Sequence, residues 1–195
     1  RLHRIQGSVK QMSELIDALL VLSRISRHTL HREIVDVSAV AEGIVQELRQ
    51  KDPSRAVEIS VHPNMSVHGD RRLIADLFDN LISNAVKFTP PGGVVSVCAR
   101  AVAGEAIIEV LDTGPGVPAE ERESIFNLFF RGRRTEHATA NSSTVRVKGS
   151  GLGLAIAREL VEAHGGQIAV VAGGAGGHFR VTLPRRSARA LADAA

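Results

Sequence analysis

The chain has no tryptophan, no tyrosine and only six phenylalanines in 195 residues. Its core must therefore be built from aliphatic side chains. The single cysteine, Cys98, excludes an intrachain disulfide and suits a reducing compartment. No apolar run approaches the roughly 18 residues of a membrane span, and no secretory leader is visible. Charge of one sign is also scarce. The formal charge is +3, and basic residues gather only at Arg131–Arg134 and Arg185–Arg189. Without interleaved aromatics these runs are no nucleic-acid footprint, and nucleic acid is not expected as a partner. What remains is ordinary for a globular protein, with 44% hydrophobic and 23% charged residues. Arg1 stands where Met would open a complete chain, so a piece of a longer protein is expected.

The stretch Asp70–Thr89 predicts one amphipathic helix. Leu73, Leu77, Leu81 and Val86 recur at near-helical spacing, widened by Ile74, Phe78, Ile82 and Ala85. Asp70 suits the N-cap, and Pro90-Pro91-Gly92-Gly93 stops the helix. Beside the apolar stripe, Asn80, Asn84 and Lys87 are spaced by four and three, so one surface carries two amides and an ammonium. Asparagine is a poor mid-helix residue. The pattern suggests a site for a metal ion and phosphates; alone, it equally describes a polar face with two tolerated asparagines.

Upstream, Leu2, Ile5, Val9, Met12, Ile16, Leu19 and Ser23 alternate by three and four. This is a heptad seam on a helix of about 28 residues, which needs partners to cover it. His28–Arg32 reads as a linker, giving a first unit 1–32 and a second over 33–184, with 185–195 a disordered tail. In the second unit, Ile34–Val37 predicts a strand and Ser38 a cap for a helix through Gln50. Strands are expected at Val57–His62 and Met65–His68. Val94–Ala103 and Ala106–Leu111 form a hairpin about Gly104-Glu105, and Ile168–Ala172 and His178–Leu183 another about Gly173–Gly177. The expected fold is α+β, a two-layer sandwich of a mixed sheet and three helices, preceded by the long N-terminal helix.

Three further stretches carry chemistry. Asp112-Thr113-Gly114-Pro115-Gly116 follows a strand and sets a carboxylate beside a tight turn. Against a purine, Asp112 could accept from the exocyclic amine of adenine, where guanine presents a carbonyl. A charge-assisted bond of roughly 1.5–3 kcal/mol, lost and replaced by repulsion, gives strong base selection. Alone, the same residues describe a plain Asp-Thr-Gly turn. Lys148-Gly149-Ser150-Gly151-Leu152-Gly153-Leu154 opens a helix through His164 and could present free N–H groups to phosphate. It lacks the Gly-Lys-Ser/Thr of a Walker loop, and Leu154 stands where a dinucleotide fold needs its third glycine. Between them, Phe126–Lys148 starts with three phenylalanines, passes through Arg131–Arg134 and turns small and polar. Such an insert is a functional lid or disordered.

In order and spacing, the set resembles the ATP-binding domain of sensor histidine kinases, whose superfamily includes type II topoisomerases, heat-shock chaperones and mismatch-repair ATPases. Asn80–Thr89 resembles the N box, Asp112–Gly116 the first glycine box, Ile125–Arg131 the F box and Gly149–Leu154 the second glycine box. His164-Gly165-Gly166 and the closing Phe179–Pro184 fit too, and Arg4–Arg27 resembles the second helix of the dimerisation hairpin. The resemblance implies the Bergerat ATP-binding fold and the cofactors ATP and Mg²⁺. It implies that Asn84 ligates Mg²⁺ through its amide oxygen, that Asn80 and Lys87 support the phosphates, and that Asp112 reads adenine. Gly114 and Gly116 would let the backbone approach. Gly149, Gly151, Leu152 and Gly153 would shape the lid's end, with Arg131 and Lys148 as lid cations.

The family passes the γ-phosphoryl to a histidine on the preceding helix and then to an aspartate on a response-regulator receiver domain, working as a homodimer. It places this part in the cytoplasm; membrane anchoring of the parent stays open. The phosphoacceptor pattern His-Glu/Asp-x-x-x-Pro is absent from Arg1–Ala195: His3, His28 and His31 are followed by Arg, Thr and Arg. The chain is therefore expected to bind Mg-ATP without phosphorylating itself. A non-catalytic ATP-sensing module and an anti-sigma-type serine kinase of the same superfamily are the alternatives.

Overall fold

The computed structural model describes residues 12, 16, 30–102, 104–132, 150–174 and 176–184. Met12 and Ile16 are helical and exposed; the rest of the heptad segment, and the tail from Arg185, lie outside the described residues.

The chain enters through β1 (Arg32–Asp36), which turns directly into α1 (Val37–Lys51). Asp36 caps this helix, its Oδ1 accepting from the Ala39 amide at 3.0 Å. Ser38, the expected cap, is buried instead: its hydroxyl donates to the His62 carbonyl at 3.0 Å and accepts from the Met65 amide at 2.8 Å. Both residue types cap helices, and the tertiary demand of the turn at residues 62–65 decides between them.

β2 (Glu58–Val61) and β3 (Ser66–Asp70) follow, and β3 pairs antiparallel with β1, setting Ile34 opposite His68. This two-stranded ribbon stands apart from the main sheet. Then comes α2 (Arg71–Phe88), one residue inside the expected limits at each end. Asp70 Oδ1 accepts from the Arg72 and Leu73 amides, and Thr89 closes the C-terminus with its hydroxyl donating to the Ala85 carbonyl. β4 (Val94–Val102) and β5 (Glu105–Asp112) form the expected hairpin, turned by Gly104 at φ +86°. Two 3₁₀ turns, Ala119–Glu121 and Ser124–Phe126, lead on. α3 (Gly153–Ala163), β6 (Gln167–Val170) and β7 (His178–Pro184) complete the unit.

The main sheet runs β2-β4-β5-β7-β6. β2 lies parallel to β4, and every other neighbouring pair is antiparallel, so the sheet is mixed as expected. Every second residue faces the helices: Val95 and Val97 on β4, Ala106, Ile108 and Val110 on β5, Phe179, Val181 and Leu183 on β7. α2 packs against both α1 and α3 and over β4 and β5. It gives the core Ile74, Leu77, Phe78, Leu81, Ile82 and Ala85. Burying each of the larger of these stabilises the fold by about 1.5–3 kcal/mol, so the polar residues on α2 ride on the best-anchored helix. The core is aliphatic as composition requires, with Phe126 edge-on to Phe179 at 6.5 Å.

Candidate functional site

The amides of α2 meet the start of α3. Asn80 is half-buried and donates its Nδ2 hydrogen to the Asp76 carbonyl at 2.8 Å, which turns its oxygen toward Gly153. A Cβ added at Gly153 would lie 2.8 Å from Asn80 Oδ1 and 3.4 Å from Asn84 Nδ2. Gly153 therefore stands against both amides because it has no side chain. Asn84 is also half-buried, and its amide forms no hydrogen bond among the described residues. Burying part of a polar group unpaired is costly, so this amide suits a partner from outside the chain. Lys87, one turn on, holds its ammonium 5.5 Å from the Phe88 ring centroid.

The C-terminal end of α2 meets the other glycine segment. Gly114 is packed so closely that an added Cβ would lie 2.8 Å from the Phe88 carbonyl oxygen and 2.7 Å from Asp112 Oδ1. Asp112 ends β5. Its Oδ1 accepts from the Gly114 amide at 2.8 Å and the Gly177 amide at 3.0 Å. Oδ2 accepts none among the described residues. One carboxylate oxygen is thus fixed by two backbone donors while the other keeps its acceptor capacity. Gly116, at φ +67°, lets the loop pass 3.1 Å (from an added Cβ) from the Gly176 carbonyl.

The F-box segment closes on the second glycine segment. The Phe129 amide donates to the Gly151 carbonyl at 3.0 Å, and Gly151 takes φ +74°, where a Cβ would meet Phe129 and the Phe130 carbonyl at 2.8 Å. Phe129 itself has φ +64° and is 58% exposed, a strained turn held by its amide hydrogen bond to Gly151. Leu152 is buried in the core, so it anchors this turn through packing. Arg131 is exposed, and no contact joins it to the cluster among the described residues. Lys148 and Gly149 lie outside the described residues.

Three contributors carried no signal in the sequence. Gly176 and Gly177 read there only as turn glycines. Arg55 reaches back to the C-terminus of α2, its Nη2 donating to the carbonyls of Val86, Lys87 and Thr89 at 2.9, 3.1 and 2.7 Å. These last carbonyls of α2 have no partner within the helix, so one guanidinium satisfies the end beside Lys87.

A divalent ion is tested by the donor set. Among the described residues no three of His, Cys, Asp and Glu gather as a metal cage. A single amide oxygen at Asn84 fits a hard ion such as Mg²⁺, which retains waters and takes its other ligands from substrate phosphates.

The chain is similar to known proteins. The family model of histidine kinase-, DNA gyrase B-, and HSP90-like ATPases matches residues 69–187. The sensor protein kinase PmrB of Pseudomonas aeruginosa is 32% identical over 187 residues, 93% of this chain and 37% of that protein. The chain spans well under half the length of the curated relatives it matches, from 34% to 46%. Among solved structures, a mycobacterial sensor histidine kinase, MprB, superposes with a TM-score of 0.63 at 32% identity, covering 80% of this chain and 99% of that one. Full-length ShkA, solved in complex with AMPPNP, superposes with a TM-score of 0.73 at 26% identity, over 95% of this chain and 38% of ShkA.

Proposed function

The chain belongs to the histidine kinase-, DNA gyrase B-, and HSP90-like ATPase family, and we propose that it is the ATP-binding kinase core of a bacterial two-component sensor histidine kinase. The observation that carries this is the meeting of the Asn80 and Asn84 amides with the side-chain-free start of α3, with the C-terminal end of α2 packed against the turn of a carboxylate with one open oxygen. The AMPPNP bound to ShkA supports an adenine nucleotide as the ligand.

The residues divide the nucleotide between them. Asp112 Oδ2 accepts from the exocyclic amine of adenine, while Oδ1 stays bound to the backbone. Asn84 holds Mg²⁺, which neutralises phosphate charge, and Asn80 and Lys87 orient the phosphates. Gly151 and Gly153 keep the start of α3 open to them, with Lys148, Gly149 and Arg131 on the lid side. Phosphoryl transfer needs little covalent chemistry from the protein: alignment and charge stabilisation supply most of the rate. The acceptor is a histidine outside Arg1–Ala195, and the onward partner is a response-regulator receiver domain. The parent works as a homodimer through the heptad segment, with this part cytoplasmic.

The test is phosphotransfer from γ-labelled ATP. The parent protein should gain acid-labile, base-stable label on a histidine, and Asn84→Ala should abolish it. This chain alone should gain none. Stable histidine label on the chain alone, or none on the parent, contradicts the proposal.

A further inference from the structure

We infer that Gly177, on the turn before β7, is a specificity-determining residue of the nucleotide site: it sets the pose of the Asp112 carboxylate and through it the choice of base. The inference rests on the adenine-reading role proposed above for Asp112. It concerns a residue 65 positions away in the chain that touches no nucleotide in that reading and acts as a positioning residue.

Two contacts tie Gly177 to Asp112. Its amide donates to Asp112 Oδ1 at 3.0 Å, and its carbonyl accepts from the Asp112 amide at 2.8 Å. Backbone donates to backbone in one direction and to side chain in the other, so the turn cannot drift without moving the carboxylate. The second donor to Oδ1, the Gly114 amide, comes from the turn two residues on from Asp112. Together they fix the oxygen that must not rotate if Oδ2 is to face a ligand.

The missing side chain matters as much as the amide. A Cβ at Gly177 would overlap Asp112 Oδ2 and lie 3.0 Å from its Cγ and 3.2 Å from Oδ1. All three nearest atoms belong to one carboxylate. The relief open to an alanine here is rotation of that carboxylate away from both amides. The neighbouring glycines differ. A Cβ at Gly176 would overlap the Asp112 main-chain oxygen, and one at Gly114 would press on the Phe88 carbonyl at 2.8 Å as well as on Asp112 Oδ1 at 2.7 Å. Substitutions there strain the backbone, whereas the three atoms nearest a side chain at Gly177 all belong to the reading group. Position 177 therefore separates base reading from folding.

The base follows from hydrogen-bond sense. A carboxylate aimed at position 6 of a purine attracts the amine of adenine and repels the carbonyl of guanine. Swung aside, it does neither.

The experiment is calorimetric titration of the wild-type chain, Gly177→Ala and Asp112→Ala with Mg-ATP and Mg-GTP, beside thermal melts. The wild type is expected to prefer ATP. Gly177→Ala is expected to keep a cooperative melt, lose about tenfold or more in ATP affinity and bind GTP at least as tightly as the wild type, so its ATP-to-GTP ratio falls toward that of Asp112→Ala. A folded Gly177→Ala with the wild-type ratio overturns the inference. A wild type with no preference for ATP overturns instead the reading on which it rests. Should Gly177→Ala fail to fold, the Gly177 amide resonance of the wild type decides: it should move on Mg-ATP addition and not on Mg-GTP, and an unmoved resonance in the ATP-saturated protein overturns the inference.

Discussion

His164 and Asp70 join the end of α3 to the start of α2. His164, at the C-terminus of α3, accepts the Asp70 amide hydrogen at Nε2 over 3.1 Å, and its Nδ1 donates to the Leu160 carbonyl at 2.7 Å. Asp70 in turn caps α2, the helix that carries Asn80 and Asn84. The pattern demands a neutral ring with its proton on Nδ1, since a charged imidazole has no lone pair for Asp70. The residue is 3% exposed, and Arg32 donates to the His164 carbonyl at 3.4 Å.

This contact predicts a pH dependence. Burial, followed by the nearby Arg32 charge, holds the His164 pKa below its ordinary 6.5, against the opposing effects of the Leu160 bond and Asp70. The unfolded chain therefore binds the proton more readily than the folded one. The stabilisation is fully present above about pH 6.5 and is lost as pH falls below it. Urea midpoints measured from pH 8 to pH 5 should decline through this window in the wild type, and much less in His164→Gln. The substitution itself should cost about 1–3 kcal/mol at pH 8.

Arg55 should stabilise the protein without touching a ligand. One guanidinium nitrogen serves two unpaired carbonyls of α2, on Val86 and Lys87, and that of its cap Thr89. Arg55→Ala should lower the unfolding free energy by about 1–3 kcal/mol, read from the denaturant midpoint. Arg55→Lys should recover only part of it, because a compact ammonium does not reproduce the planar fork.

Glu109 and Arg100 should respond very differently, though they form an ion pair. On the sheet face away from the helices, Glu109 Oε1 accepts from His178 Nε2 and Arg180 Nε, each at 2.9 Å, while Arg100 stands 3.5 Å away and half exposed. Burial pushes the Glu109 carboxyl up, yet the bonds from Arg180 and His178 outweigh it and hold the pKa below 4.5. Glu109→Ala leaves those donors without their acceptor and should cost about 1–3 kcal/mol. Arg100→Ala should cost at most about 1 kcal/mol, as screened surface pairs do. Equal losses would show that the pair, rather than the hydrogen-bonded cluster, matters.

Gly153 offers a test of opposite signs. Alanine is the better helix former, so Gly153→Ala should hold or raise the thermal midpoint. Its Cβ, however, would press on Asn80 Oδ1 at 2.8 Å. Mg-ATP affinity should fall about tenfold or more while stability does not, as measured by parallel titration and melting. A drop in both would place Gly153 in folding alone.

The sequence made the local parts of this molecule visible. Asp70 and Thr89 bound α2 because caps are local, and Gly104 marks its hairpin because a positive φ is local. The β2–β4 pairing was hidden, since parallel neighbours are brought together by the intervening helix rather than by a turn. Ser38 misled because its hydroxyl answers a loop 24 residues on. In the site, Asn80, Asn84, Asp112 and the glycines stood out through residue types that helices and strands disfavour. Arg55 and Gly177 did not: a surface arginine and a turn glycine are common, and their work lies in contacts 31 and 65 residues distant.

The measurement closest to the central claim is calorimetric titration of the folded chain with ATP in the presence of Mg²⁺ and then of excess chelator. One saturable site per chain is expected. It should weaken sharply on chelation and in Asn84→Ala, and again in Asp112→Ala. A folded chain that takes up Mg-ATP with no heat, or binds it unchanged after both substitutions, would contradict the account.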